Sequence, residues 1–455
     1  MSRNVDVAIL GAGSAGLNAF SQVRPTTSDV VLINGGHYGT TCARVGCMPS
    51  KVLIEVAKEY SRRQHFENFG IKGSDQLSID GKQVMNYVRS LRDAFVGRVM
   101  QGIDKIGDHN IKGYARFIEP NVLEVNGERI EAKKIIIATG STPIIPSEWQ
   151  DKVITSDDFF ELETLPNSIA VIGLGVIGSE IGQALARLGV KVIGIEKSSK
   201  ICGISDLAIN KVAVEELSQD FDQLWLDTTA ELSKTADGIT INADNGKSAT
   251  VEMVLSAIGR SPNIENLGLD ISGLAINPNT MQLGDLPIFI AGDVTSHRPI
   301  LHEAADDGMI AGYNATQDQV QAFKRRVPLQ VAFTDPQVVI VGKSIAELAG
   351  EKIIIGERGF VMQGRTKVMA RTHGHLRVYA EPEFGRLLGA EMMIPDGEYV
   401  GHFLALAIEH QMTVADVLLT PFYHPTIMEG LDDALKAIAA QLKDKKSINL
   451  LTMIP

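Results

Sequence analysis

The sequence contains little cysteine, no long uninterrupted apolar run and no excess of positive charge. Three cysteines in 455 residues exclude an extracellular scaffold held by disulfides. The longest apolar region, near residues 168–195, is interrupted by Glu180, Gln183 and Arg187, so no segment is expected to span a membrane. The net charge of -12 argues against nucleic acid as a partner, because proteins that bind it concentrate Lys and Arg.

The length and composition are those of a globular protein with several domains. A chain of 455 residues is too long for one compact core and predicts about three domains. Hydrophobic residues make up 44% and charged residues 22%, which is ordinary for such proteins. The run from Val5 to Leu10 predicts a strand where a secretory signal would have its apolar core, so no such signal is expected. The cytoplasm is therefore the expected compartment.

One motif occurs twice in the chain. An apolar run precedes the segment Gly11-Ala12-Gly13-Ser14-Ala15-Gly16, and another precedes Gly173-Leu174-Gly175-Val176-Ile177-Gly178. Each copy continues into a helix-like segment and then a further apolar strand, Val30 to Ile33 and Val190 to Ile195. Strand, glycine turn, helix and strand in this order form the repeating unit of a doubly wound parallel sheet.

The three glycines of such a motif have separate physical roles. The first allows the tight turn, the second lets the backbone approach a pyrophosphate, and the third lets helix and strand pack closely. The diphosphate then lies at the helix N-terminus, where free N–H groups attract anions. A single match could be a plain glycine turn. Two matches, each within its own strand–helix–strand segment, predict two dinucleotide sites.

The residues that end the second strands distinguish the two copies. Glu196 and Asn34 stand at the same sequence distance beyond the first glycine of their motif. A carboxylate at this place accepts hydrogen bonds from ribose hydroxyls and repels a ribose phosphate, so Glu196 favours NAD(H) over NADP(H) despite the neighbouring Lys197. Asn34 can bind a ribose hydroxyl, but without the contribution of a charge.

Further along the chain, small residues follow two buried strand-like runs, and the pattern then changes. Ala138-Thr139-Gly140 and Ala291-Gly292-Asp293 leave room for a ligand beyond the strand ends. From about residue 334 a third, α+β domain is predicted. Its predicted strands are 338–341, 352–355, 376–380 and 387–393, and its predicted helices are 399–411 and 429–442.

Two cysteines lie five residues apart, at Cys42 and Cys47. In a regular helix their Cα atoms would be roughly 8–9 Å apart, which exceeds the ~7 Å that a disulfide permits. Gly46 and Pro49 are expected to supply the irregular backbone that brings them together. A metal would require four soft ligands, and Cys202 is the one other thiol, so redox exchange is favoured and no metal is expected. Two neighbouring but inert cysteines remain the alternative.

His424 and Glu429 form the second candidate catalytic group. Thiol–disulfide exchange needs a side chain that takes up and returns protons near neutral pH, and histidine does this best. Glu429 is close enough in sequence to orient the imidazole ring. Because the chain has 10 histidines, a structural histidine at a corner of the chain remains the alternative.

Together these segments resemble the FAD-dependent pyridine nucleotide–disulfide oxidoreductases, from Gly11 to the helix after Glu429. Within that family they are most similar to the dihydrolipoamide dehydrogenases. The most specific run is Cys42-Ala43-Arg44-Val45-Gly46-Cys47-Met48-Pro49-Ser50-Lys51, and a weaker one is Gly259-Arg260-Ser261-Pro262-Asn263. The resemblance implies an α/β fold with two doubly wound dinucleotide-binding domains and a C-terminal α+β dimerisation domain. The implied limits are 1–141 and 263–333 for the FAD domain, 142–262 for the NAD domain and 334–455 for the dimerisation domain.

The resemblance also implies a role for each site residue. Cys42 would exchange with substrate and Cys47 would face the flavin, beside an ion pair of Lys51 and Glu180. His424 would act from the partner subunit, oriented by Glu429, which makes a homodimer necessary for activity. The implied FAD residues are Gly11, Gly13, Ser14, Ala15, Gly16, Asn34, Thr41, Lys51, Ala138, Thr139, Gly140, Gly292, Asp293, His302, Ala304 and Ala305. The implied NAD residues are Gly173, Gly175, Ile177, Gly178, Glu196 and Gly259.

The chain departs from the family pattern at several places. Thr40 stands where the family usually has glycine, Arg44 where it has Asn, Asn34 where it has Glu, and Phe422 where lipoamide enzymes commonly have an earlier His. The leading hypothesis is oxidation of dihydrolipoamide by NAD+ through FAD and a Cys42–Cys47 disulfide, with a lipoyl domain as a possible partner. The alternatives are an NADH-dependent reductase of another small disulfide, a flavoprotein that passes electrons from NADH without the cysteines, and a non-catalytic assembly subunit.

Overall fold

The computed structural model describes residues 2–270 and 273–442. The first strands are β1 (Ser2–Leu10), β2 (Val30–Asn34), β3 (Asn110–Lys112), β4 (Ala115–Glu119), β5 (Val122–Val125), β6 (Glu128–Ile137) and β7 (Ser141–Pro143). They are followed by β8 (Ser168–Ile172), β9 (Lys191–Ile195), β10 (Gln223–Trp225), β11 (Ala230–Thr235), β12 (Gly238–Ala243), β13 (Ser248–Val251), β14 (Met253–Ser256) and β15 (Arg260–Pro262). The last are β16 (Ile288–Ile290), β17 (Leu329–Ala332), β18 (Gln337–Gly342), β19 (Ile354–Gly359), β20 (His375–Ala380) and β21 (Leu387–Ile394).

The α-helices lie between and after these strands. They are α1 (Ser14–Val23), α2 (Thr41–Val45), α3 (Cys47–Ser61), α4 (Gly81–Asp104), α5 (Ser156–Phe159), α6 (Val176–Arg187), α7 (Leu207–Asp220), α8 (Leu301–Ala315), α9 (Gly364–Met369), α10 (Gly397–Glu409), α11 (Val414–Leu418) and α12 (Met428–Ala439). Within the described residues, no helix combines the length and the apolar character that crossing a bilayer requires.

The first sheet contains the strands on either side of the first glycine motif, β1 and β2. Its central strands run in the order β3-β2-β1-β6, and β16 joins the second half of β6 in parallel. β5 pairs in antiparallel fashion with the first half of β6, and β4 pairs with β5. Residues 7–10 of β1 are completely or nearly completely buried, as expected for a parallel strand that is covered on both faces.

The second sheet repeats this arrangement around the second motif. Its strands are parallel in the order β10-β9-β8-β14, and β11, β12 and β13 form a separate antiparallel sheet beside them. Two segments connect the first and second sheets, one leading to the second sheet and one returning from it. They pair with each other, since β7 and β15 form a short antiparallel ladder. The ladder brings the loop after β6 close to the loop that leads away from the second sheet.

The third sheet is antiparallel, in the order β17-β18-β21-β20-β19. It differs from the predicted strands at two places. β19 runs over Ile354–Gly359 and not over 352–355, because its register is set by β20, with Ile354 opposite Ala380. β17 lies in a stretch that the predicted limits assign to the FAD domain, yet it pairs with β18. The helix predicted over 429–442 ends at Ala439, and residues 443–455 lie outside the described part of the chain.

One hydrophobic core joins helices α3 and α4 to the second and third sheets. Leu53 of α3, Ile181 of α6, Leu217 of α7, Val338 of β18 and Met393 of β21 are almost fully buried in the same cluster. Helix α3, which begins at one of the paired cysteines, is therefore packed against the second nucleotide-binding unit and the third sheet. The predicted α/β class, two doubly wound units followed by an α+β unit, is confirmed.

Candidate active site

The two glycine motifs have nearly identical backbone geometry. Gly11 has φ +108° and Gly173 has φ +92°, in a region that favours glycine. A Cβ atom on Gly16 would lie 1.9 Å from the carbonyl oxygen of Gly11, and a Cβ on Gly178 would lie 1.9 Å from that of Gly173. Both third glycines are therefore required by close contact between the start of the helix and the turn at the end of the strand.

The middle glycine of each motif borders the open crevice beyond the strand ends. A Cβ atom on Gly13 or on Gly175 would meet no atom within 4 Å. Both residues precede a helix, α1 or α6, and neither helix start is capped by a side chain. The N–H groups of the first helical turn are thus available to an anionic group. This geometry fits a diphosphate at each of the two sites.

The residues that end β2 and β9 lie against their own glycine turns. Asn34 Oδ1 accepts a hydrogen bond from Ala12 N at 3.1 Å, and its Nδ2 donates to Gly36 O at 2.8 Å. Glu196 Oε2 accepts from Leu174 N at 2.7 Å. A carboxylate has about four acceptor positions, so Glu196 retains capacity for ribose hydroxyls. Asn34 keeps one acceptor position and one donor, and it carries no charge.

The remaining predicted FAD residues meet at the ends of the neighbouring strands β6 and β16. Thr139 Oγ1 donates to Asn263 O at 2.7 Å, and Asn263 Nδ2 donates to Thr139 O at 3.0 Å. Asp293 Oδ2 accepts from Ser141 Oγ at 3.1 Å. Two motifs that are far apart in sequence are therefore joined at one edge of the first sheet.

The other predicted ligand residues surround these turns. Ala138 and Gly140 flank Thr139, and Gly292 has φ +83° just before Asp293. Helix α8 begins at Leu301 and carries the exposed His302, with Ala304 buried and Ala305 half-buried behind it. Thr41 is exposed at the start of α2, Ile177 is exposed in the first turn of α6, and Gly259 has φ +128° near the second motif.

The paired cysteines lie on either side of a helix break. α2 ends at Val45, Gly46 takes φ -126° and ψ -115°, and α3 begins at Cys47. This break brings the Cys42 and Cys47 side chains into hydrogen-bond contact, which an unbroken helix would prevent. The expectation that Pro49 helps to break the helix is wrong. Pro49 lies in the first turn of α3, where a missing N–H has no cost.

The two thiols have opposite electrostatic character. Cys42 donates its proton towards Cys47, and this hydrogen bond lowers the pKa of Cys47 to about 7, against burial and with help from the charge of Lys51. The same hydrogen bond, followed by burial, raises the pKa of Cys42. In the reduced protein, Cys47 therefore ionises near neutral pH, while Cys42 stays a thiol.

An ion pair joins the thiol-bearing helix to the second nucleotide unit. Lys51 Nζ on α3 lies 3.0 and 2.8 Å from the two carboxylate oxygens of Glu180 on α6. Glu180 is only 3% exposed and also accepts a hydrogen bond from Phe333 N at 2.8 Å. Lys51 Nζ additionally lies 4.8 Å from the centre of the Phe333 ring. The ion pair is thus held by its own two hydrogen bonds, by the backbone N–H of Phe333 and by the Phe333 ring.

Lys51→Met is expected to raise the pKa of Cys47. The substitution removes a cation that favours the thiolate and leaves the carboxylate of Glu180, whose charge disfavours it. The rate of alkylation of the reduced protein should follow the thiolate fraction, with a midpoint near pH 7 in the unaltered protein and a higher midpoint in the variant. Lys51→Arg keeps the charge and should leave the midpoint nearly in place. Equal midpoints for Lys51→Met and the unaltered protein would contradict the proposed role of Lys51.

The predicted acid–base pair is present on the C-terminal unit. His424 Nδ1 lies 2.8 Å from Glu429 Oε1, and Glu429 Oε2 accepts from Thr426 N at 2.9 Å. The hydrogen bond with His424, followed by that from Thr426, lowers the pKa of Glu429. The side chain of His424 is 78% exposed, so within one chain it is not packed on the thiol pair.

Two features next to Cys42 are visible only in the structure. Thr40 has φ +61° and ψ +149°, a conformation that is almost restricted to glycine, and its hydroxyl caps α2 by accepting from Ala43 N at 3.2 Å. The sequence signal for this conformation was that the family usually has glycine at the position of Thr40. Arg44 lies 3.9 Å from Asp157, which is also 3.6 Å from Arg260. The Arg44 side chain is therefore directed towards the second nucleotide unit.

The third cysteine does not belong to the predicted redox pair. Cys202 is fully buried, and burial raises its pKa to about 12. The interpretation of Cys202 as a buried apolar residue is confirmed. No cluster of three or more His, Cys, Asp or Glu side chains suited to a metal ion occurs in the part of the chain that the structure describes.

Comparison with known proteins gives the same picture along the whole chain. The family described as pyridine nucleotide-disulphide oxidoreductase matches residues 5–308, and its dimerisation domain matches residues 329–435. Dihydrolipoyl dehydrogenase from Bacillus subtilis is 29% identical over 458 residues, covering 94% of this chain and 97% of that protein. The enzyme of the same name from Geobacillus stearothermophilus is 30% identical over 446 residues, covering 92% and 93%.

Solved structures share the fold. LpdA from Mycobacterium tuberculosis superposes with a TM-score of 0.83 at 23% identity, covering 95% of this chain and 99% of that one. The HOCl-induced flavoprotein disulfide reductase RclA from Escherichia coli superposes with a TM-score of 0.82 at 22% identity, with the same coverage. At these identities the likeness supports the architecture and leaves the substrate open.

Proposed function

The chain belongs to the pyridine nucleotide-disulphide oxidoreductase family, and we propose that within it the protein oxidises dihydrolipoamide to lipoamide with NAD+. It is an FAD-dependent enzyme of the dihydrolipoyl dehydrogenase type, and its matched dimerisation domain indicates that it dimerises. The observation that carries the proposed chemistry is the hydrogen-bonded pair of Cys42 and Cys47, in which the pKa of Cys47 is lowered and the pKa of Cys42 is raised.

The residues present fit the two cofactors of the family. The first glycine turn, with the loops after β6 and β16, would hold FAD, and the second glycine turn with Glu196 would hold NAD(H). Bound FAD supplies the transfer of two electrons between the thiol pair and the nicotinamide. The protein contributes binding at two helix N-termini and a charged, largely buried environment between the sites.

In the proposed exchange, Cys42 reacts with the substrate and Cys47 is the leaving group. One thiolate of dihydrolipoamide attacks Cys42 Sγ in the Cys42–Cys47 disulfide, and Cys47 leaves as a thiolate, stabilised by Lys51. The second substrate thiolate then attacks the substrate sulfur bound to Cys42, so that the lipoamide disulfide forms and Cys42 is released. The two protons lost by the substrate go to His424 and to Cys42, and Glu429 holds the imidazole ring during this transfer.

A second candidate is an NADH-dependent reductase of another small disulfide. Arg44 and Phe422 depart from the family pattern beside the thiols and the acid–base pair. A structural neighbour is named a disulfide reductase. The same thiol pair run in the opposite direction would reduce such a substrate, and the proton steps would be reversed.

The assignment is tested with the purified, FAD-loaded protein. Dihydrolipoamide with NAD+ is compared with NADH plus lipoamide, glutathione disulfide and cystine, all at the same enzyme concentration. The proposal expects dihydrolipoamide and lipoamide to give the highest kcat/KM. Absence of lipoamide turnover, with rapid turnover of another disulfide, would replace the lead function by the second candidate. Repeating the assay with an isolated lipoyl domain tests the proposed protein partner.

A further inference from the structure

The aromatic ring of Tyr114 packs closely against the backbone of Gly35. A Cβ atom built on Gly35 would be 2.4 Å from Cγ and 2.5 Å from Cδ1 of the Tyr114 ring. The φ angle of Gly35 is outside the left-handed region, so glycine is needed here for space and not for conformation. The tyrosine is nevertheless 78% exposed. One part of its ring therefore rests on the Gly35 backbone, while most of the side chain faces solvent.

This aromatic side chain stands at the ribose end of the first dinucleotide site. Gly35 follows directly after Asn34, the last residue of β2, and Gly113 N donates to Asn34 O at 3.0 Å. The register of β2 and β3 sets Asn34 opposite Lys112, two residues before Tyr114. With a diphosphate at the start of α1 and a ribose at Asn34, the adenine of FAD would lie further along the carboxyl edge of the sheet. Tyr114 lies at that edge.

The two nucleotide sites of the chain differ at this point. The second site has the carboxylate of Glu196 and then Lys197, at the positions that Asn34 and Gly35 occupy in the first. Asn34 is uncharged and already bonded to Ala12 N and Gly36 O. The first site thus lacks the charged ribose acceptor of the second, and it has an exposed aromatic ring instead.

We propose that Tyr114 is the stacking surface for the adenine of FAD and offsets the missing carboxylate at Asn34. Stacking suits this position because a purine presents a flat face whose contact requires no hydrogen-bond partner. The absent side chain of Gly35 lets the ring lie flat against the backbone. This inference rests on FAD binding and is independent of the disulfide substrate.

The test is the affinity of the apoprotein for flavins, measured by quenching of flavin fluorescence. Tyr114→Ala and Tyr114→Leu are expected to raise the Kd for FAD about tenfold or more, whereas Tyr114→Phe keeps the ring and should bind like the unaltered protein. Phe384→Ala removes another exposed aromatic side chain, 62% exposed and in the turn between β20 and β21, and serves as the matched control. Because Tyr114 is exposed, the melting temperature of the apoprotein should not change.

FMN binding and a second variant distinguish the loss of adenine stacking from general damage to the protein. FMN lacks the adenosine, so its Kd should be the same with and without the Tyr114 ring. Gly35→Ala should weaken FAD alone, since its methyl group would displace the ring. An unchanged Kd for FAD in Tyr114→Ala, or an equal loss for FMN, would overturn the inference. Failure to turn over lipoamide in a protein that binds FAD normally would affect the proposed substrate and not this inference.

Discussion

Cys42→Ser should lower turnover of every dithiol or disulfide substrate by at least about 10³-fold, because the residue that forms the covalent bond to substrate is removed. A serine hydroxyl can still donate a hydrogen bond to Cys47 but cannot form a mixed disulfide. The variant should therefore fold, bind FAD and keep Cys47 ionised to about the same extent as in the unaltered protein. Steady-state assays with the preferred substrate and a flavin spectrum of the same preparation measure both expectations.

The controls for this prediction use the other cysteines and another acceptor. Cys47→Ser should be equally inactive, since the exchange then has no leaving thiolate, whereas Cys202→Ala should retain activity because Cys202 is fully buried and cannot meet a substrate. Transfer of electrons from NADH to a quinone should continue in Cys42→Ser if the flavin itself can react. Full disulfide turnover by Cys42→Ser would show that the chain acts without its paired cysteines.

His424→Ala should lower turnover by about 10²–10⁴-fold, the usual contribution of a general acid or base. The hydrogen bond between His424 Nδ1 and Glu429 fixes the ring, which leaves the other ring nitrogen for the proton of the substrate. Glu429→Gln removes the charge but keeps the size, so its loss should be smaller. The pH dependence of kcat/KM distinguishes a catalytic histidine from a structural one, because only the former removes an ionisation from the profile.

Mixed dimers test whether His424 serves the partner subunit. Cys42→Ser and His424→Ala chains, each inactive alone, are unfolded, mixed in equal amounts and refolded. If each site combines Cys42 of one chain with His424 of the other, a mixed dimer has one intact site, and the mixture should regain about a quarter of the original activity. If His424 acted within its own chain, every site would lack one group and no activity would return.

The features that the sequence predicted correctly depend on short segments. The glycine turns were predictable because Gly16 and Gly178 contact carbonyls only five residues away, so that sequence spacing determines the geometry. The helix break between the cysteines was likewise local, although Gly46 alone produces it and Pro49 does not. β17 was missed because a strand of four residues has little pattern of its own and is defined by its pairing with β18.

The features that the sequence left open depend on contacts between distant segments. Lys51 and Glu180 are 129 residues apart, and their pairing was expected only from the family resemblance. The contact of Tyr114 with Gly35 and the approach of Arg44 to Asp157 depend on how separate loops meet in space. The strained backbone of Thr40 has no signature in its own residue type, because threonine normally avoids that conformation.

The hydrophobic core that joins α3 and α4 to the second and third sheets constrains how the protein is made. Its members extend from Leu53 to Met393, so the ribosome must release most of the chain before this interior can close. Until then α3 and α6 expose apolar faces during synthesis, and contacts of such large sequence separation form slowly. We therefore expect nascent chains that stop before β17 to need chaperones, and the second nucleotide unit expressed alone to aggregate.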